Sequence, residues 1–413
     1  MRTTILFILY VVLFDSCIEI AQPFTQIPPG VWRAELELDE GVHLPFNFEV
    51  KYDESDQLSI ELINGEERIA VGDVSFGKNP KLLDTIRMNF PLMDSYIRGI
   101  YKENVIEGYW NVNYKDNYRV PFVAYFGQKH RFTQTTKAPA MDVTGKWKTT
   151  FEVETTDQYP AIGEFAADKN KVAGTFLTET GDYRFLDGEV QGDKFMLSCF
   201  DGSHAFLFTA DITESKSMIG KFYSGSHYQT NWIAHQDESA TLTNPYELSK
   251  AIDGSKAINF SLPSTDGSLI SLDDDQYKGK PKLIKIMGTW CPNCLDESKF
   301  LLDYKKKNPE VDIPIIAIAF EKYRDDKKAL DILSKYKERL NIPYDIVHGG
   351  YYDKSEATAK LGFLDKVISY PTLIFVNKDN QITKVHTGFS GPATSQYEDF
   401  VRDFDRDVRN LIQ

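Results

Sequence analysis

Two regimes of hydrophobic patterning divide the chain. Across residues 22–240, apolar positions recur at every second residue in short runs, separated by Gly, Asn and Asp, with little helical spacing. Alternation at period two gives an extended strand one buried and one solvated face. Residues 32–38 (WRAELEL) alternate in this way, and residues 105–110 and 122–126 read as further strands. Asn64-Gly65, between the apolar runs 58–62 and 69–71, predicts a hairpin turn. The pattern then repeats. Gly30-Val31-Trp32 is echoed by Gly145-Lys146-Trp147, residues 58–62 by 172–176, 106–110 by 218–222, and Ala124 by Ala234, at offsets of 110 to 115 residues. This predicts two tandem antiparallel β units, 22–128 and 141–240, each a barrel or a two-layer sandwich that hides its edges.

The G-x-W openings and V-x-G-x-F strands loosely resemble lipocalin-like barrels. A solid aromatic core would leave the units as a spacer or docking surface. A cavity lined by Trp32, Trp110 or Trp147 would instead make them a ligand-binding module. The polar stretch 128–140, with Pro139, reads as the linker between units, and 236–256 as a second linker.

Beyond it, strands alternate with helices. Lys282–Met287 is a short apolar strand, followed by helical spacing over 295–307, a buried strand over 313–320 and an amphipathic helix over 325–340. Thr372–Val376 and 382–386 read as paired strands, and 394–411 as a closing helix. The order β-α-β-α-β-β-α predicts an α/β domain over 246–413.

The first residues are different again. Residues 1–14 (MRTTILFILYVVLF) carry one arginine and then an unbroken apolar run, too short to span a bilayer, for which about 20 residues are needed. The run fits the apolar region of a secretory signal. Cys17 follows it, and with Leu13 and Ser16 it resembles a bacterial lipobox, Asp15 being the departure. Residues 1–17 are therefore expected to direct export, with lipidation at Cys17 anchoring the protein to a membrane. Simple secretion is the alternative, although Glu19-Ile20-Ala21 makes a poor cleavage site.

Composition narrows the function classes. The 413 residues carry a net charge of −14, which repels phosphate backbones and argues against nucleic-acid binding. Four cysteines are too few for a disulfide-stapled scaffold at this length. Two of them, in Trp290-Cys291-Pro292-Asn293-Cys294, stand where a strand gives way to a helix. There, unpaired backbone N–H groups and the helix dipole stabilise a thiolate. Cys291 is the expected nucleophile on a disulfide, and Cys294, one turn on, the residue that resolves the mixed disulfide. Pro292 fits the first helical turn because its missing N–H would be unpaired there. A zinc site needs three or four ligands. No second C-x-x-C exists, and the seven histidines are scattered. Cys199, alone in an alternating run, reads as a packed apolar residue.

From about Asp253 to the C-terminus the chain resembles the TlpA/ResA-like branch of the thioredoxin superfamily, within the redoxin family. The resemblance rests on the Trp-Cys-Pro-Asn-Cys motif, on Tyr370-Pro371-Thr372 before a strand, and on Ile258 to Leu262 followed by Asp266-Gly267 and Leu272. It implies that Pro371 is a cis-proline facing the two cysteines and that Glu297 modulates their pKa values or shuttles a proton. A solvated glutamate in the first helical turn is the bland alternative for Glu297. Trp290, Pro292 and Tyr370 would contact substrate, with packing as the alternative for Tyr370. Lys285 departs from the buried acid of thioredoxins proper, and Lys299 from a helix-kinking proline. Ile284 and Gly288 break the peroxiredoxin motif.

The resemblance implies an exported thiol–disulfide oxidoreductase of the bacterial cell envelope or periplasm, working through a redox-active Cys291–Cys294 pair with no cofactor. Its partners would be disulfide-containing envelope proteins, apocytochrome c among them, and a membrane thiol-transfer protein as electron donor. Three alternatives stay open: a β-rich binding protein whose thioredoxin-like domain serves the cargo, a redox switch, and a thiol peroxidase.

Overall fold

A computed structural model describes residues 27–214, 216–254 and 256–413; Cys17 and the expected signal segment lie outside them. The first sheet runs from Gly30 to Phe126 as nine antiparallel strands. Their spatial order is Glu67–Ala70, Leu58–Asn64, Val42–Tyr52, Gly30–Asp39, Arg119–Phe126, Val105–Val112, Ser95–Lys102, Asp84–Phe90, Asp73–Lys78. The second, from Gly145 to Gln236, repeats that order strand for strand. Trp32 and Trp147 occupy the same place in each, and both donate their indole N–H to the carbonyl four residues back, Pro28 at 3.2 Å and Val143 at 2.9 Å.

The two sheets differ in closure. In the second, Lys171–Thr178 pairs with Tyr159–Asp168 on one side and with Leu186–Gln191 on the other, closing eight strands into a barrel. Gly174 sits at that corner, where a Cβ would stand 2.1 Å from the Glu164 carbonyl oxygen. In the first sheet the corresponding strands do not pair, so it stays open. Its last strand, Asp73–Lys78 (DVSFGK), is exposed over most of its length and offers little apolar surface to drive closure. The expectation that both units hide their edges as barrel or sandwich therefore fails for the first.

The barrel interior is filled. Phe151, Phe176, Phe208, Phe222 and Trp232 interlock, with Phe208 and Phe222 stacked at 4.4 Å. Trp32, Trp110 and Trp147 are at most 1 % exposed and belong to the core. The two β units also share packing. Phe200 of the barrel lies 4.6 Å from Phe46 and 5.3 Å from Trp110 of the first sheet.

The segment 128–140 is a strap rather than a loose linker. Arg131, buried within it, donates to Ser198 Oγ, the Ile63 carbonyl and Asn64 Oδ1, which ties the two sheets together. Composition marked this run as polar without revealing that one of its charges is buried and satisfied.

The C-terminal part holds a five-stranded sheet in the order Asp345–Tyr351, Ile315–Glu321, Lys282–Met287, Thr372–Val376, Ile382–Thr387. Lys282–Met287 is central, parallel to Ile315–Glu321 and antiparallel to Thr372–Val376. Helices Pro292–Lys307, Asp326–Arg339, Lys354–Leu361 and Tyr397–Ile412 flank it. Sequence patterning misses Asp345–Tyr351 and Lys354–Leu361. The strand is interrupted by His348-Gly349-Gly350, and the helix is short and buries only Ala357.

Candidate active site

The central strand ends at Met287, and helix Pro292–Lys307 begins five residues later. Cys291 is the helix N-cap, in extended conformation, and its Sγ accepts the Cys294 backbone N–H at 3.2 Å. A thiol at this position faces the positive end of the helix. Both cysteines are thiols in this structure; Cys291 is 6 % exposed and Cys294 fully buried. Burial pushes the Cys294 thiol well above its ordinary pKa, and the adjacent Cys291 adds to the shift. The Tyr370–Pro371 peptide is cis. The Tyr370 carbonyl accepts from Cys291 Sγ at 3.2 Å.

Trp290 packs edge-on against Tyr352 at 5.5 Å and Tyr370 at 5.4 Å, and its indole donates to the Phe320 carbonyl at 2.9 Å. Tyr370 donates its hydroxyl to the Tyr352 carbonyl at 2.9 Å. Cys291, Cys294, Trp290, Pro292, Tyr370 and Pro371 thus form one cluster at the C-terminal end of the central strand.

Glu297 is not a solvated helix residue. It is fully buried, with Oε2 3.3 Å from the Nζ of the equally buried Lys285. Lys285 also donates to the Cys294 carbonyl at 2.7 Å and to Ser298 Oγ at 2.8 Å, and Tyr336 donates to the same hydroxyl at 3.0 Å. Burial raises the Glu297 carboxyl above the ordinary range, against the pull of Lys285. The lysine that replaces the expected strand acid is therefore the charge partner of the helix acid. Lys299 lies on a helix that runs unbroken for 16 residues.

Several neighbours carry no motif. Glu321 accepts both the backbone N–H of Thr289, at 2.9 Å, and its hydroxyl, at 2.8 Å. Burial pushes this carboxyl up to about 7. The barrel also reaches the site. Asn293, between the two cysteines, donates to the Asp182 carbonyl at 3.1 Å, and Ser203 donates to the Trp290 carbonyl at 3.1 Å. Ser369 donates to the Thr180 carbonyl at 2.6 Å. Arg184, 5 % exposed at its side chain, binds Asp296 of the active-site helix and Glu67 of the first sheet, and lies 3.5 Å from Asp201 of its own barrel. Its neighbouring carboxylates raise its pKa well above the ordinary value despite burial. Sequence reasoning missed this cover because most of its acceptors are main-chain carbonyls. Among the described residues, no group of His, Cys, Asp and Glu is placed to hold a metal ion.

A dithiol at a helix N-terminus, on a sheet of this order and facing a cis-proline, defines a thiol–disulfide oxidoreductase. Residues 252–401 match the Redoxin family model. Over 139 residues the chain is 30% identical to the thiol:disulfide interchange protein DsbE of Pseudomonas aeruginosa, covering 34% of this chain and 68% of that protein. It is 28% identical over 157 residues to the thiol-disulfide oxidoreductase ResA of Halalkalibacterium halodurans, covering 38% and 78%. A secreted thiol-disulfide isomerase from Corynebacterium glutamicum superposes at TM-score 0.31 and 17% identity, over 40% of this chain and 93% of that one. The chain belongs to the redoxin family, in its TlpA/ResA-like branch.

Proposed function

We propose that this protein is exported, anchored through Cys17, and reduces disulfides of envelope proteins with the Cys291–Cys294 dithiol. In this reading residues 246–413 carry the chemistry and the β units, 22–128 and 141–240, flank it. Cys291 as thiolate attacks one sulfur of the substrate disulfide and expels the other as a thiolate. The resulting mixed disulfide is resolved by Cys294, which gives up its proton and attacks the Cys291 sulfur. The second substrate thiol leaves, and the protein is oxidised by two electrons to a Cys291–Cys294 disulfide. A membrane thiol-transfer protein would return those electrons. The observation that carries this reading is the Cys291 Sγ, placed to accept the Cys294 N–H at the helix terminus and facing Tyr370-Pro371. The buried Lys285–Glu297 pair beneath Cys294 is suited to receiving and returning the proton that the resolving thiol gives up.

The test is the reduction potential of the pair, read by Trp290 fluorescence in dithiothreitol buffers, together with trapping by Cys294→Ser. A potential near the thioredoxin value of about −270 mV, with client proteins trapped on Cys291, supports a reductant. A value near about −120 mV makes the protein an oxidant and overturns the direction of transfer proposed here.

A further inference from the structure

The rim beside Cys291 carries lysines that are not paired with carboxylates. Lys322, directly after strand Ile315–Glu321, is half-buried, with Nζ 4.1 Å from the Trp290 ring centre and 3.3 Å from that of Tyr352. Tyr114 of the first β unit closes over it at 5.9 Å. The next residue, Lys115, lies 4.5 Å from the Tyr118 ring and 3.3 Å from His227 Nε2 of the barrel. Lys354 follows Tyr352 by two residues and opens helix Lys354–Leu361. Among the described residues none of these three ammonium groups is within ion-pair distance of an acid, in a chain with 61 acidic residues against 47 basic ones.

Carboxylates do face this region, but each is engaged elsewhere. Glu321 is held by Thr289. Asp94 accepts from Asn113 and from the Tyr323 hydroxyl. Asp353 caps the N–H groups of Ser355 and Glu356. Asp201 accepts from the backbone of Ser203 and His204. Partial burial brings Lys115 and Lys322 down to about 8, so both remain largely charged at neutral pH. His227, beside Lys115, is lowered to about 4 by burial and then by that lysine, so it is neutral there and offers no counter-charge. Aromatic faces hold a cation in place without neutralising it. The arrangement leaves positive charge, fixed but unsatisfied, beside the thiol that reacts.

We propose that this rim selects disulfides flanked by carboxylates, with Lys322 and Lys115 pairing to acidic groups next to the substrate sulfurs while Trp290 and Tyr352 hold the Lys322 ammonium in place against their ring faces. The inference rests on the disulfide-exchange reading and adds the substrate class. The electron flow is that of the exchange above: two electrons pass from the dithiol to the substrate disulfide, and dithiothreitol restores the dithiol in the assay. A carboxylate next to a disulfide occurs both in glutathione disulfide and in an acidic stretch of a client protein.

The test uses the full chain and four probes. These are glutathione disulfide, a disulfide-linked peptide flanked by Glu, the same peptide flanked by Lys, and uncharged dithiodipyridine. The expected result is a kcat/KM for the Glu-flanked peptide about tenfold above the Lys-flanked one, falling towards parity at high salt. Lys115→Glu, at the outer rim, should reverse the order of the two peptides. Lys322→Gln should reduce the ratio and Lys322→Arg should keep it, since a guanidinium retains both charge and aromatic stacking. If glutathione disulfide shares the preference, the site takes small anionic disulfides as well as peptides; if only the peptide does, the substrate is a protein segment. Equal kcat/KM for the two peptides, or a ratio unmoved by Lys115→Glu, overturns the proposal while the exchange reading stands. If the protein does not accelerate dithiodipyridine reduction over dithiothreitol alone either, the exchange reading itself falls.

Discussion

Breaking the Lys285–Glu297 pair from one side should cost far more than removing it whole. Both side chains are fully buried, and the closest N···O approach is 3.3 Å. Neither Glu297 oxygen has a well-aligned hydrogen bond, so Lys285 is what compensates its charge. Lys285→Met leaves that carboxylate unpaired in the core, and Glu297→Gln leaves the ammonium with neutral acceptors only, the Cys294 carbonyl, Ser298 Oγ and the new amide oxygen. A buried ion deprived of its partner costs about 3–5 kcal/mol. The double variant Lys285→Met with Glu297→Leu removes both charges at similar volume, and Ser298 keeps its bond from Tyr336. It should lie within about 1 kcal/mol of the parent protein, because replacing a buried pair with well-packed apolar groups is close to neutral. The coupling energy between the two sites, the two single costs less that of the double, is then at least about 5 kcal/mol.

A chain of several packed units is not expected to unfold in one step, so a global midpoint would blur this result. The appropriate assay is thiol pulse-labelling along a urea gradient, with the label mapped to Cys294, which is fully buried in the native protein. Single variants shifted by less than about 1 kcal/mol, or a double variant as unstable as the sum of the two singles, would refute the argument that the two charges depend on each other.

Two further outcomes follow from the same neighbourhood. Glu321 is held up to about 7 from an ordinary value of 4.5, so the native state binds more protons across that window. Its contribution is complete below 4.5 and is lost as pH rises through 7, about 3 kcal/mol in all. Glu321→Gln should flatten that part of the profile of urea midpoint against pH, and an unchanged slope would count against it. Gly181 of the barrel has φ +140°, and a Cβ there would meet Asn293 Nδ2 at 2.3 Å. Gly181→Ala should therefore push the Asn293 amide off the Asp182 carbonyl, loosen the barrel's hold on the Cys-Pro-Asn-Cys turn and raise the alkylation rate of Cys291; an unaltered rate would mean that this contact does not limit access.

What could be read from the sequence follows from which interactions leave a residue-type signature. Alternation gave the strands of both β units, and the repeat of Gly-x-Trp marked equivalent positions that share an indole-to-carbonyl bond. Closure could not be read. It depends on one non-local pairing, Lys171–Gly174 with Leu186–Glu189, for which neither strand carries a distinctive code. The dithiol and the cis-proline were legible because strand-end cysteines at that spacing and a proline before a strand are rare combinations. The barrel cover was not, since Asp182, Thr180 and Trp290 contribute backbone carbonyls that any residue supplies.

Lys285 and Glu297 show how two apparent irregularities can explain each other. Taken singly, a lysine in the central strand breaks the thioredoxin pattern, and a glutamate near the start of a helix, here in its second turn, has an ordinary place in solvent. The strand, however, aims every side chain from Lys282 to Met287 into buried surroundings. A charged group there requires a partner from the helix packed above. Ser298 and Glu297 are the side chains of that helix that reach Lys285. The buried acid beside Cys294 therefore comes from the helix, and the strand lysine is what permits it to be buried there.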